Sequence, residues 1–263
     1  MMQQHQRGEA TRALLDAYRE GPVAPLSATY PELDIEAAYA IQLAQVDHWR
    51  SQGRTVAGTK VGLTSLAVQK QLGVDQPDFG HLMADTFYAS EQPIAADAFL
   101  QPRIEPEIAF VLKHDLAGPG VTTAQAIRAV DFVLASMEIV DSRIADWKIT
   151  ITDTIADNAS CGGVVLGSKP QRLDAADLRL LGAVLYRNGQ LVHTGAGAAV
   201  MGSPIAALVW LANTLGRLGT TLQAGSVVLP GAITPMIPVV PGDVVTANFA
   251  GLGTVTARFA RQN

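Results

Sequence analysis

Glu105 and Glu107 stand two residues apart in the run Gln101-Pro102-Arg103-Ile104-Glu105-Pro106-Glu107-Ile108-Ala109-Phe110-Val111-Leu112. Apolar Ile104, Ile108, Phe110 and Leu112 recur there with period two, which predicts a strand. Carboxylates at i and i+2 of a strand project side by side, here from the face opposite Ile104 and Ile108. Bare, they repel each other. A divalent cation between them turns that repulsion into ligation, and hard cations such as Mg²⁺ take oxygen ligands. The pair alone reads equally well as a solvated strand face. A third carboxylate, Glu138, lies in Phe132-Val133-Leu134-Ala135-Ser136-Met137-Glu138-Ile139-Val140-Asp141. Its flanks are too apolar for a surface strand, and an unpaired buried charge is costly, so the three acids call for one explanation.

Lys60 interrupts a second apolar, Gly-rich strand pattern, Val56-Ala57-Gly58-Thr59-Lys60-Val61-Gly62-Leu63. Either its stem packs while the ammonium reaches water, or it is held near carboxylates or an anionic substrate. Its expected partner is Asp78 or a substrate carboxylate. Asp78 itself falls in Gly73-Val74-Asp75-Gln76-Pro77-Asp78-Phe79-Gly80, a loop by its turn residues, where Asp commonly caps a turn.

The elements that must position these groups follow from the remaining pattern. Residues 10–20 and a segment N-capped by Asp34 and ending near Gly53 read as helices. Thr64-Ser65 is expected to cap a short helix through Leu72. Thr122-Thr123 opens a helix through Val130, and Ser203-Pro204 opens another that Gly216 should stop. Residues 153–163 read as a small, polar, Gly-rich loop running into the strand Val164-Val165-Leu166. Asn188-Gly189 marks a β-hairpin. Short strands are expected at residues 226–229, 237–240, 244–249 and 254–259. The Gly195-Ala196-Gly197 run follows a hairpin and opens no βαβ unit, so it is not a dinucleotide loop. Residues 1–54 are read as a helical N-terminal subdomain and 55–263 as the domain that carries Lys60, Asp78 and the three glutamates.

The chain has 263 residues, of which 48% are hydrophobic and 16% charged, enough for a substantial core. A net charge of −5 points to neither nucleic acid nor an anionic membrane surface as partner. One cysteine, Cys161, excludes a disulfide framework and fits a reducing cytoplasm. No secretory signal and no membrane-spanning run are expected.

Lys60-Val61-Gly62-Leu63-Thr64, Gln76-Pro77-Asp78-Phe79-Gly80, Arg103 to Ala109, Glu138-Ile139-Val140-Asp141-Ser142-Arg143, Ala156-Asp157-Asn158-Ala159-Ser160 and the closing Pro241-Gly242-Asp243 and Gly251-Leu252-Gly253-Thr254-Val255 resemble the 2-keto-4-pentenoate hydratase branch of the fumarylacetoacetate hydrolase superfamily. The resemblance covers nearly the whole chain in order. It implies an α+β fold, a mixed β-roll or barrel with a small helical N-terminal region, and a Mg²⁺ or Mn²⁺ cofactor. It places the metal carboxylates on Glu105, Glu107 and Glu138, the catalytic lysine on Lys60 and the hydratase aspartate on Asp78, with Leu63, Thr64 and Ser160 as substrate-binding residues.

The implied reaction adds water to 2-hydroxypenta-2,4-dienoate in aromatic meta-cleavage catabolism. The competing readings are decarboxylation of 2-oxohex-3-enedioate and a non-catalytic, metal-stabilised subunit. A homo-oligomer, and a complex with a pathway enzyme, are also implied. A longer dicarboxylate substrate would need a second cation in the pocket, for which Arg143 and Lys148 are available by sequence. The chain departs from relatives at Ser203 and Pro230, in the half expected to close over substrate and away from the metal carboxylates.

Overall fold

The computed structural model describes residues 2–66, 69–70, 74–95 and 97–261. The helix expected to follow Thr64-Ser65 runs partly outside them, as does the Gly73 end of the next loop.

The chain opens with three helices, α1 (Gln4–Glu20), α2 (Leu26–Thr29) and α3 (Ile35–Ser51). Asp34 caps α3 as its residue type predicts, its side chain accepting from the Ala37 N–H. Strand β1 (Val56–Gly62) follows, then β2 (Asp78–Met83), β3 (Phe87–Ala89), β4 (Pro93–Ile94) and β5 (Arg103–Leu112). Helix α4 (Thr123–Ala129) leads into β6 (Val130–Val140); α5 (Ile151–Ala156) and a tight turn lead into β7 (Cys161–Leu166). The hairpin β8 (Gly182–Arg187) and β9 (Gln190–Ala196), helix α6 (Pro204–Arg217), and strands β10 (Val227–Leu229), β11 (Ile237–Pro238), β12 (Val244–Phe249) and β13 (Gly253–Phe259) complete it.

Among the described residues the strands form two mixed sheets. The larger has the order β2-β1-β10-β5-β6-β7-β3, with β11 also pairing β5; the smaller has the order β4-β13-β12-β8-β9. The larger sheet curls far enough for β2 and β7 to approach each other, which makes it a roll.

The pleat divides labour between its faces. Ile104, Ile108 and Phe110 of β5 and Val133, Met137 and Ile139 of β6 enter a core shared with β8, β12, β13 and α6. The alternate residues face the inside of the roll, where Leu82, Ala109, Leu134, Val164 and Leu229 pack. Glu105, Glu107 and Glu138 alternate with the core residues and share that second face.

The N-terminal helices pack Leu14, Leu26, Ala38 and Ile41 against Ile144 after β6 and Ile155 and Ala156 of α5. Two buried glutamines of α3 extend the contact: Gln42 donates to the Phe79 and Ile155 carbonyls, and Gln45 to the Ala156 carbonyl.

Four local expectations change. Asp78 begins a strand instead of lying in a loop, because β1 offers its edge to pair with. The expected loop over residues 153–163 contains α5, capped by a reciprocal Thr150–Asp153 box. Gly216 does not stop α6. It lies inside that helix where a Cβ would come within 2.1 Å of the Gly118 carbonyl carbon, so its small size serves close packing. The stretch Gly197–Arg217 does have the length and hydropathy of a membrane-crossing segment. Its regular helix has only 14 residues, about 21 Å against roughly 30 Å of hydrocarbon, and buries Leu208, Leu211 and Leu215 in the core.

Candidate active site

Register sets the site. In the antiparallel β5–β6 pair Glu105 stands directly opposite Glu138, and Glu107 opposite Ser136. Like charges in directly opposed positions destabilise a sheet unless something intervenes. Ligand oxygens of Glu105, Glu107 and Glu138 lie within 4.8 Å of one another. Glu107 and Glu138 are fully buried, and Glu105 is half-buried.

The second half of the site comes from β1 and β2. Lys60 pairs with Gly80, and Gly62 with Asp78, so Lys60 and Asp78 are diagonal neighbours on one face. Both are buried. Gly62 keeps the space between them open: a Cβ there would lie 2.1 Å from Asp78 Oδ1 and 3.3 Å from Lys60 Nζ. The curl of the roll brings this face to the carboxylates. Lys60 Nζ stands 3.3 Å from Glu138 Oε1, an ion-pair distance without hydrogen-bond alignment, and donates to the Ala159 carbonyl at 2.9 Å. The closest protein anion to Lys60 is therefore Glu138, which corrects the expectation of Asp78 as its first protein partner. The curl that set this distance has no signature in local sequence.

The polar bookkeeping is incomplete in an informative way. Glu107 Oε2 accepts the Gly231 N–H at 2.7 Å, which fixes the carboxylate, while its Oε1 has no partner. Both oxygens of Glu138 and both of Asp78 also lack hydrogen-bond partners. Buried unpaired acceptors are rare and costly. Burial, then the charge of Glu138, pushes the Glu105 carboxyl up to about 8. Burial likewise raises Glu107 well above the carboxylate range, helped by Glu138 and Glu105. It raises Glu138 against the opposing pull of Lys60, and Asp78 in the same way. For Lys60, burial lowers the pKa, but Glu138 and then Asp78 and Glu105 outweigh it, so the ammonium stays charged. An all-oxygen donor set with free, mutually repelling carboxylates fits a hard divalent cation.

The remaining sequence candidates divide. Thr64 is buried and packs so tightly on Gly231 that a Cβ there would lie 2.0 Å from its hydroxyl oxygen; it thus abuts the residue that orients Glu107. Leu63, before it, takes a left-handed φ of 56°. Ser160 is buried beside the Lys60 acceptor Ala159, with its hydroxyl 3.3 Å from Asp157 Oδ2 and 3.4 Å from Thr154 Oγ1.

Arg143 is committed elsewhere. Its guanidinium pairs with Asp157 at 2.5 Å and donates to the Cys161 and Asp157 carbonyls. Lys148 is exposed and pairs with Asp146. Neither is a free second cation. Pro230 immediately precedes Gly231, so that departure touches the donor to Glu107 after all, whereas Ser203 lines an outer groove of about 520 Å³. Sequence reading missed Gly231 and Gly62. Only the glycine alternation of β1 carried a signal, because a backbone donor has no residue-type signature.

Fold and site together define an α+β enzyme of the β-roll type. The chain belongs to the fumarylacetoacetate hydrolase family: the fumarylacetoacetate (FAA) hydrolase C-terminal profile matches residues 37–260. The chain is 48% identical over 259 residues to a 2-keto-4-pentenoate hydratase of Paraburkholderia xenovorans, covering 98% of this chain and 96% of that one. It is 50% identical over 254 residues to a TodF product hydratase of Pseudomonas putida, covering 96% and 95%. Among solved structures, 4-oxalocrotonate decarboxylase from Pseudomonas putida G7, complexed with magnesium and adipate, superposes with a TM-score of 0.95 at 34% identity over 98% of this chain and 99% of that one.

Proposed function

We propose that this chain is a divalent-metal-dependent hydratase that adds water to 2-hydroxypenta-2,4-dienoate, giving 4-hydroxy-2-oxopentanoate in the meta-cleavage breakdown of aromatic compounds. The observation that carries the reading is the single buried face on which Glu105, Glu107 and Glu138 meet Lys60 and Asp78. Relatives of 48% and 50% identity with hydratase names support it.

Glu105, Glu107 and Glu138 would hold Mg²⁺ or Mn²⁺. When bound there, the ion supplies a Lewis acid for the carboxylate and 2-oxygen of a 2-oxo acid. The chain's own groups do the proton work. The dienol must first ketonise, losing the 2-hydroxyl proton and gaining one at C5; water then adds at C4 with a proton at C3. Lys60, held charged by Glu138, is the donor. Asp78, with both oxygens unpartnered, is the group that accepts a proton from the attacking water or orients it. Thr64, Leu63 and Ser160 are proposed to border the substrate. Residues 1–54 support the roll formed by 55–263, and the buried thiol of Cys161 suits a reducing cytoplasm.

A second reading, decarboxylation of 2-oxohex-3-enedioate, is favoured by the close superposition on the decarboxylase. The commitment of Arg143 and the exposure of Lys148 weigh against it, since neither offers a charge for a distal carboxylate. The test is to supply enzymatically generated 2-hydroxypenta-2,4-dienoate with Mg²⁺ or Mn²⁺ and follow loss of its ultraviolet absorbance, with product identified by chromatography. Consumption that EDTA abolishes is expected. Equal rates in EDTA, or CO₂ release from 2-oxohex-3-enedioate with no hydration, would overturn the reading. If EDTA lowers only the melting temperature and no turnover is seen at all, the carboxylates serve a structural ion.

A further inference from the structure

Asn158, Ala159 and Ser160 are three consecutive non-glycine residues with φ of 51°, 52° and 51°. L-residues avoid this left-handed conformation, and a run of three persists only where its surroundings over-determine it. A turn joining α5 to β7 has no general need of it.

One side chain ties this turn to β2. The His81 N–H donates to Asn158 Oδ1 at 2.8 Å, and Asn158 Nδ2 donates to the His81 carbonyl at 2.9 Å. The carboxamide thus pairs with β2 as a neighbouring strand would, on the edge that β1 leaves free. Gly80 permits the approach, since a Cβ there would lie 2.4 Å from the Asn158 carbonyl oxygen. The next residue, Ala159, presents the carbonyl that accepts from Lys60.

We propose that Asn158 is a positioning residue for Lys60: its carboxamide locks the left-handed turn onto β2 and thereby aims the Ala159 carbonyl that, with Glu138, fixes the ammonium. The inference rests on the reading of Lys60 as the proton donor. Of the three ammonium hydrogens, one goes to Ala159 and one faces Glu138. The third remains for the gap toward Asp78 that Gly62 keeps open.

The decisive variant is Asn158→Gly, which tolerates positive φ and deletes both side-chain bonds. With Mn²⁺ and the dienoate, kcat should fall by about tenfold or more, while KM and calorimetric Mn²⁺ affinity stay within a few-fold. In a Lys60→Met background the same substitution should add no further loss, because it acts through Lys60. Asn158→Asp keeps one of the two bonds and should give an intermediate kcat; it serves as the test should the glycine variant not fold. The ¹³Cε resonance of Lys60, assigned by its absence in Lys60→Met, should shift in either variant without any substrate present. That measurement separates the two readings: a wild-type protein inert toward the dienoate sinks the proposed function, while an unmoved Lys60 resonance sinks the positioning role. A lower melting temperature with kcat unchanged, or an equal loss of kcat with and without Lys60, also overturns it.

Discussion

Lys60 Nζ lies 3.3 Å from Glu138 Oε1 with both side chains sealed from solvent, and neither Glu138 oxygen makes a well-aligned hydrogen bond. A buried ion pair in which one partner has unused acceptors is a poor stabilising device, because desolvation offsets the attraction. It suits a lysine that must stay charged beside carboxylates whose own charges repel. Lys60→Met keeps much of the stem and deletes the charge. Its kcat should fall by about 10²-fold or more, the scale of a positioned acid–base group. Metal affinity should change less, since a protonated lysine is no ligand. Turnover within a few-fold of wild type would show that the acid–base group is misassigned and leave Asp78 to be tested alone.

Glu107→Gln preserves shape and an oxygen for the Gly231 N–H while removing the charge. Metal affinity, read by calorimetry, should fall by more than the roughly 10–100-fold that loss of an outer partner costs. Turnover should fall with it, and circular dichroism should show a folded chain. Unchanged metal binding would remove Glu107 from the ligand set.

Gly62→Ala would place a methyl 2.1 Å from Asp78 Oδ1. The obstructing atom is the far end of a side chain, so the carboxylate can swing away. The expected stability loss is at or below about 1–3 kcal/mol, the usual scale of overpacking. The expected kinetic effect is larger, a fall in kcat with metal affinity retained. Wild-type kcat in the alanine variant would mean that the Lys60–Asp78 gap has no role.

His81 provides a pH test away from the carboxylates. Burial, assisted by Arg50 and opposed by Asp47 and the Asn158 side chain, lowers its pKa from the ordinary 6.5 to about 4. The unfolded chain therefore takes up this proton first. The stability is present above about pH 6.5 and is lost as pH falls toward 4, with a total on the order of a few kcal/mol. Melting temperatures from pH 7 to 4.5 should fall more steeply for wild type than for His81→Gln. Parallel curves would show that His81 is not the group responsible.

The composition and the family resemblance predict a homo-oligomer. Sedimentation at micromolar concentration should show a species larger than the 27.7 kDa chain. A single species at that mass would end the idea.

The sequence by itself determined the strands that carry Glu105, Glu107, Glu138 and Lys60, because period-two alternation within ten or so residues is a local property. It likewise marked the Asn188-Gly189 hairpin and the Asp34 and Thr122 caps, whose chemistry spans a single turn. Tertiary structure decided what the alternation could not. It moved Asp78 from a presumed loop into an edge strand paired with β1. It also made Glu138 the nearest anion to Lys60, and supplied the Gly231 N–H from 124 residues away to orient Glu107. Those relations depend on how far the larger sheet curls and on which backbones meet across it. The curl sums small twists over many strands against the packing of a second sheet and the helices. No residue type encodes that sum, and a backbone N–H looks the same in every sequence until the fold aims it.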